Sequence, residues 1–158
     1  MATATQTLVL GGGCFWCTES VFLQVRGIAQ VESGYSNGHA PKPSYEMVST
    51  GTSGHNEVVR LEFDPEQVSL NELLEIFFLI HDPTTLNRQG PDVGDQYRSA
   101  IFFHSPEQEA TAKASRDAAQ PRFSRPIVTQ ITPAQTFWRA EEYHQKYLEK
   151  RGRLSCGI

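Results

Sequence analysis

The chain has 158 residues, 39% hydrophobic and 20% charged, with a formal net charge of −4. That length fits one domain with its own core, and the lack of any basic block or stripe argues against nucleic acid and anionic membrane as partners. The N-terminal residues lack a charged-then-apolar leader and the longest apolar run, Ile76 to Ile80, is far too short to span a bilayer, so the expected compartment is the cytoplasm. Three cysteines, an odd number, do not suit a secreted disulfide scaffold. In a reducing compartment such thiols are more often catalytic, redox-active or metal-binding than structural.

In chain order, Thr7 to Leu10 reads as a short buried strand, closed by Gly11, Gly12 and Gly13. A helix is expected from Cys14, with Phe15, Phe22 and Val25 on compatible faces and Gly27 as its stop. Ile28 to Tyr35 reads as strand, and residues 36–54, rich in Gly, Pro, Ser and Asn, as loop. Val59, Leu61 and Phe63 alternate with charged neighbours, the pattern of a half-buried strand. Ser69 to Glu72 has capping-box spacing, and Leu70, Leu73, Leu74 and Phe77 continue at helical intervals until Pro83 ends the helix near His81. Residues 81–97 form a long polar stretch without periodicity, a loop of the kind that tends to carry function. Arg98 to Phe103 reads as strand, and Ser105-Pro106 opens a helix with Gln108 completing a capping box. A strand over Ile127 to Ile131 and a last helix over Ala140 to Leu148 complete the pattern. Loosely alternating strands and helices predict an α+β two-layer sandwich with a mixed sheet.

The densest chemistry lies in "GGGCFWCTE", residues 11–19. A strand, a glycine run and a helix beginning at Cys14 put that sulfur at a helix N-terminus, where the macrodipole and unpaired N–H groups favour a thiolate nucleophile. Phe15 and Trp16 beside it are suited to an apolar pocket wall that could hold a methyl or thioether group. A structural zinc site needs four ligands, and no second Cys-x-x-Cys or His pair at suitable spacing follows Cys14 and Cys17. No metal is therefore expected. A dithiol oxidoreductase built on Cys14-x-x-Cys17 is the alternative the spacing leaves open.

Taken in order, "GGGCFWCTE", "SYEMV", "GHNEVV", "HDPTTLNRQGPDVGDQYRS" and "AEEYHQKYL" resemble the A-type, S-epimer-specific peptide methionine sulfoxide reductases, over nearly the whole chain. The resemblance implies a ferredoxin-like core and one catalytic domain over residues 1–158, with 149–158 as a mobile tail carrying Cys156. It implies Cys14 as the nucleophile that takes the sulfoxide oxygen as a sulfenic acid, and Phe15 and Trp16 as the rings that receive the substrate methyl. It further implies Glu57 as the acid that protonates the sulfoxide oxygen, Tyr45 and Tyr97 as hydroxyls bonded to that oxygen, and Asp92 as a substrate-orienting carboxylate. The implied substrate is methionine-S-sulfoxide, free or in proteins, with thioredoxin as reductant, no metal or organic cofactor, and a monomeric state. His144 reads rather as a satisfied, partly buried histidine than as a base.

The required chemistry agrees with those residue types. Attack at sulfur places negative charge on oxygen, which calls for a proton donor and fixed hydrogen bonds. A carboxyl near apolar rings stays protonated near neutrality, and tyrosines donate without ionising there. For recycling, both Cys17 and Cys156 are resolving thiols: Cys17 is nearer in sequence and is taken as first partner, while direct attack by Cys156 and a relay through both stay open. Relatives mostly carry Gly where Cys17 stands, so this part departs from the family pattern.

Overall fold

The computed structural model describes residues 5–50, 53–90 and 92–150. The helices are α1 (Phe15–Leu23), α2 (Tyr45–Ser49), α3 (Leu70–Ile80), α4 (Pro106–Ala119) and α5 (Tyr147–Lys150). The strands are β1 (Gln6–Gly11), β2 (Ile28–Ser36), β3 (Asn56–Phe63), β4 (Arg88–Gln89), β5 (Asp92–Val93), β6 (Ala100–Phe103), β7 (Gln130–Pro133) and β8 (Trp138–Arg139). The main sheet runs β7-β6-β1-β3-β2-β8. Its four inner strands are antiparallel in the order β6-β1-β3-β2, with α1 between β1 and β2 and α3 between β3 and β6. That is the ferredoxin-like arrangement. The parallel β6–β7 pair makes the sheet mixed, as expected.

Period-two alternation sorts each strand's residues between two faces. Leu8 and Leu10 of β1, Val59, Leu61 and Phe63 of β3 and Ile101 of β6 share one core with Phe22 of α1 and Leu73, Leu74, Phe77 and Phe78 of α3. Val9, Val58 and Phe102 turn to the other face, where the partly buried hydrophobic residues Ala134 and Phe137 pack against them. The helices therefore lie on one side of the sheet. Burial of this apolar surface, at about 25 cal/mol per Å², is the main term holding the layers together.

The capping box acts as read at α3 and only in part at α4. At α3 the Ser69 hydroxyl accepts from the Glu72 N–H at 3.0 Å and the Glu72 carboxylate accepts from the Ser69 N–H at 3.2 Å. At α4 the Ser105 cap forms, but the Gln108 amide reaches one residue further, accepting from the His104 N–H at 2.7 Å and donating to the Thr7 carbonyl at 2.9 Å.

Other expectations need correction. Helix α1 begins at Phe15 with Cys14 as its cap and ends at Leu23, so Gly27, at φ 96, shapes the turn into β2 instead of stopping the helix. The stretch 36–54 contains α2, and the long polar loop contains the small β4–β5 hairpin. The strand expected at Ile127 is shifted to Gln130–Pro133, and β8 was not foreseen. The helix expected over Ala140–Leu148 is broken into a 3₁₀ turn, Glu142–His144, and α5. Gln145 is the physical reason. Its side-chain amide accepts from the Ser33 N–H and donates to the Ser33 and Ala140 carbonyls, standing in for a strand neighbour of β2. Extended backbone at Gln145 and a positive φ at Lys146 follow from that use. The tail expected from 149 lies outside the described residues past Lys150, and Cys156 with it.

Glycine 34 is required where β8 joins β2. A Cβ there would sit 2.4 Å from the Phe137 ring and 2.5 Å from the Trp138 carbonyl oxygen. Gly34→Ala is expected to lower stability by about 2 kcal/mol, the usual scale of overpacking, read as a lower urea midpoint.

Candidate active site

Four segments converge beside the start of α1. The sheet delivers Glu57, because it shares the alternation of Val59, Leu61 and Phe63 and so faces the helices, opposite Tyr35 of β2. Glu57 is 1% exposed. Its Oε1 accepts from the Phe15 N–H at 3.2 Å, while Oε2 is buried with no hydrogen-bond partner among the described residues. Burial first, then the Asp92 charge, pushes its pKa up to about 8 against the pull of the Phe15 N–H. A neutral carboxylic acid with one oxygen unengaged is a proton donor ready for use.

Cys14 is the N-cap of α1 and a free thiol. The N–H groups of Trp16 and Cys17 do favour its thiolate, as the helix-terminus argument expects, but they lose. Burial, then the Glu57 and Asp92 charges, drives its pKa from the ordinary value up to about 12. The resting sulfur is a thiol, so the expected resting thiolate is corrected. Cys17, one turn on, donates its backbone N–H to the Cys14 carbonyl at 3.1 Å and is disulfide-bonded.

Around the sulfur the aromatic residues divide the work. Phe15 is 1% exposed and belongs to the main core, so it supports the site from beneath. Trp16 is only partly buried and is the ring nearer solvent. It stacks on Tyr147 at 3.8 Å and on Tyr45 at 6.0 Å, and its Nε1–H donates to His144 Nδ1 at 2.9 Å. Tyr45 opens α2 and Tyr97 ends the 3₁₀ turn Asp95–Tyr97. For both, burial and then the Glu57 charge raise the phenol pKa, so both hydroxyls stay protonated donors. Asp92, in β5, reaches the same cluster through its field: it raises Cys14, Glu57 and Tyr97 alike.

His144 is 1% exposed, and burial lowers its pKa. Its Nδ1 accepts from Trp16, so the ring proton sits on Nε2, which is buried without a partner among the described residues. It holds the indole by this bond, and the expected satisfied histidine is corrected, because only one of its ring nitrogens is engaged among the described residues.

Sequence reasoning missed a carboxylate strut behind these groups. Glu141 accepts from the Tyr35 hydroxyl at 3.0 Å and from the Tyr45 N–H at 3.1 Å, linking β2, α2 and the C-terminal segment. Burial raises its pKa, yet its own backbone N–H, then the Tyr45 N–H and the Tyr35 and Tyr143 hydroxyls, outweigh it and hold the carboxyl below its ordinary value. The signal lay inside "AEEYHQKYL", but nothing in one sequence says which long-range partner such a carboxylate will find. Among the described residues no group of three or more His, Cys, Asp or Glu side chains could hold a metal ion.

The charge coupling makes a direct test. Cys14 should alkylate slowly near neutrality. Glu57→Gln, by removing the carboxylate that repels the thiolate above pH 8, should speed Cys14 labelling at pH 9 to 10, read residue by residue in a mass spectrometer. An unchanged rate would contradict the coupling.

Comparison with known proteins agrees with this geometry. The family model described as peptide methionine sulfoxide reductase matches residues 6–158. A relative from Acidobacterium capsulatum, named peptide methionine sulfoxide reductase MsrA, is 55% identical over 160 residues and covers 100% of each chain. One of the same name from Geobacter metallireducens is 55% identical over 148 residues, 92% of this chain and 91% of its own. Among solved structures, reduced Mxr1 from Saccharomyces cerevisiae superposes with a TM-score of 0.90 at 38% identity, covering 94% of this chain and 87% of its own. Methionine sulfoxide reductase A of Corynebacterium diphtheriae gives 0.90 at 35%, covering 94% and 76%. With a family match over nearly its full length, and a buried acid, a thiol and two tyrosines gathered at one helix start, this chain belongs to the peptide methionine sulfoxide reductase family.

Proposed function

We propose that Cys14 reduces methionine-S-sulfoxide, with Glu57 as proton donor and Tyr45 and Tyr97 as hydrogen-bond donors to the sulfoxide oxygen. The observation that carries the reading is the buried Oε2, without a partner among the described residues, of a carboxyl whose pKa is pushed up to about 8. The Cys14 sulfur bonds to the sulfoxide sulfur as the Glu57 proton passes to the oxygen, and the thiol proton returns to the Glu57 carboxylate. The hydroxyl then moves to the Cys14 sulfur while the new S–S bond breaks. Methionine leaves, and Cys14 is left as a sulfenic acid. The substrate sulfur gains two electrons and Cys14 loses two.

A high thiol pKa suits this sequence of events. Proton transfer to the sulfoxide makes its sulfur electrophilic at the moment the thiol loses its proton, so no thiolate has to survive in a buried, acidic pocket. Tyrosine donors aimed at the developing oxyanion cost no reorganisation. Trp16, held by His144, offers an apolar face for the methyl group, and the Asp92 carboxylate suits an ammonium or backbone amide of the substrate.

Recycling runs through the remaining thiols. Attack of Cys17 or Cys156 on the sulfenic acid gives a disulfide and water, and a dithiol reductant returns both thiols. A free Cys14 beside a disulfide-bonded Cys17 supports the relay, in which the oxidised pair moves outward from the nucleophile. We take thioredoxin as the reductant. In support, a structure of Mxr1 in complex with Trx2 resembles this chain with a TM-score of 0.67 at 29% identity. A monomer acting in the cytoplasm is the simplest setting for this chemistry, and no described helix is long and apolar enough to cross a membrane.

Cys14→Ser should abolish dithiothreitol-driven reduction of a methionine-S-sulfoxide substrate; substantial residual activity would overturn the assignment. The single-turnover rate should fall as pH rises through about 8, because the acid is competent only while protonated. Glu57→Gln should slow reduction by roughly 10²- to 10⁴-fold, the usual contribution of a general acid, and should remove that limb of the profile. Disulfide mapping after one turnover in wild type, Cys17→Ser and Cys156→Ser tells which thiol attacks first.

A further inference from the structure

We propose that Asn56 and Arg98 form a clamp that sets Glu57 and Tyr97 at fixed spacing around Cys14, acting as positioning residues; the inference rests on the sulfoxide-reducing reading above. Its ground is a gap in the sheet. Strand β1 lies between β3 and β6, and its last ladder partners are Val59, opposite Leu10, and Ala100, opposite Gly11. Past Gly11 the chain leaves the sheet toward Cys14. Residues 56–57 on one side and 97–99 on the other therefore have no strand between them. They carry the proposed acid and one of the proposed oxygen-binding tyrosines.

Two side chains fill that slot. Asn56 Nδ2 donates to the Arg98 carbonyl at 2.9 Å, while Arg98 Nε and Nη2 donate back to Asn56 Oδ1 at 3.0 and 2.5 Å. Arg98 Nη2 also donates to the Gly54 carbonyl at 2.7 Å, fastening the approach to β3. Asn56 is fully buried. A Cβ on Gly11 would lie 3.3 Å from each of Asn56 Nδ2, the Arg98 carbonyl oxygen and the Glu57 carbonyl oxygen. The three segments that carry Cys14, Glu57 and Tyr97 thus meet at one point, and the clamp closes it. Each clamp residue adjoins a functional one: Asn56 precedes Glu57, and Arg98 follows Tyr97.

The clamp works by geometry and not by charge. The guanidinium is directed at Asn56 and Gly54, and it is not among the groups that shift Glu57. A planar guanidinium whose Nε and Nη2 converge on one amide oxygen while Nη2 also reaches a carbonyl fixes orientation in a way that a lysine ammonium does not.

The test is single-turnover reduction of methionine-S-sulfoxide by Asn56→Ala, Arg98→Lys and the double variant, with the pH profile and the KM-against-kcat split. Loosening the clamp should lower the rate of the chemical step by ~10- to 100-fold, the scale set by small misplacements of reacting groups. KM should stay within about twofold, and the descending limb should stay near pH 8. Because both side chains serve one clamp, the double variant should be no slower than the slower single variant. Arg98→Lys keeps the charge and the apolar stem, so it reports on the fork even where Asn56→Ala folds poorly. Unchanged single-turnover rates in folded variants, additive losses, or a limb displaced by a unit or more would overturn the clamp. Failure of wild type itself to reduce the sulfoxide would instead overturn the parent reading.

Discussion

Burial of Glu57 on the apolar face of β3 is the constraint on which the rest of the site depends. A carboxylate there would be costly, since among the described residues only one backbone N–H, that of Phe15, is offered to it. The group meets that cost by holding its proton, and the proton is then available to a substrate oxygen. The same low-dielectric surroundings that keep Glu57 neutral keep Cys14 a thiol and both tyrosines unionised. One environment thus tunes all the groups together. Asp92 adds to it, because its negative charge makes deprotonation of Cys14, Glu57 and Tyr97 harder.

Positioning comes from the core and from a few long-range polar links. Phe15 lies beneath the sulfur as a core residue, so α1 cannot shift without disturbing packing shared with Tyr35. Trp16 is held by His144, and Tyr45 by Glu141, which also fixes Tyr35. These links all originate in the segment after β8, which Gln145 fastens to the edge of β2. An irregular stretch of chain thereby braces three rings of the site. Its broken helix is the consequence of Gln145 serving a strand edge.

How much was legible depended on whether a signal was local. The Ser69 capping box, the alternation over β3 and the glycine run before α1 are read from neighbours in the chain, and each forms as expected. Glu57 begins that alternation, two residues before Val59, yet the pattern suits a solvated edge residue as well as an acid, and only the fold shows that Asn56 to Val59 are all buried. The resemblance carried Cys14, Glu57, Tyr45 and Tyr97, and they do come together. The resting state of Cys14 was not legible, because burial, which no local pattern reports, outweighs the helix terminus. Nor was the split between Phe15 as core and Trp16 as the partly exposed ring, since both are bulky aromatics in adjacent positions.

By itself the sequence determined the main core strands and helices, a cysteine at a helix start, and the family to which the chain belongs. Those properties are written in short motifs and in period-two and helical spacing. Tertiary structure alone decided the protonation of the site, the Glu141 and His144 supports, and the convergence of three strand ends at Gly11. Each of those arises from atoms brought together across 40 or more positions of chain, and their burial and mutual charge exist only once the sheet has formed.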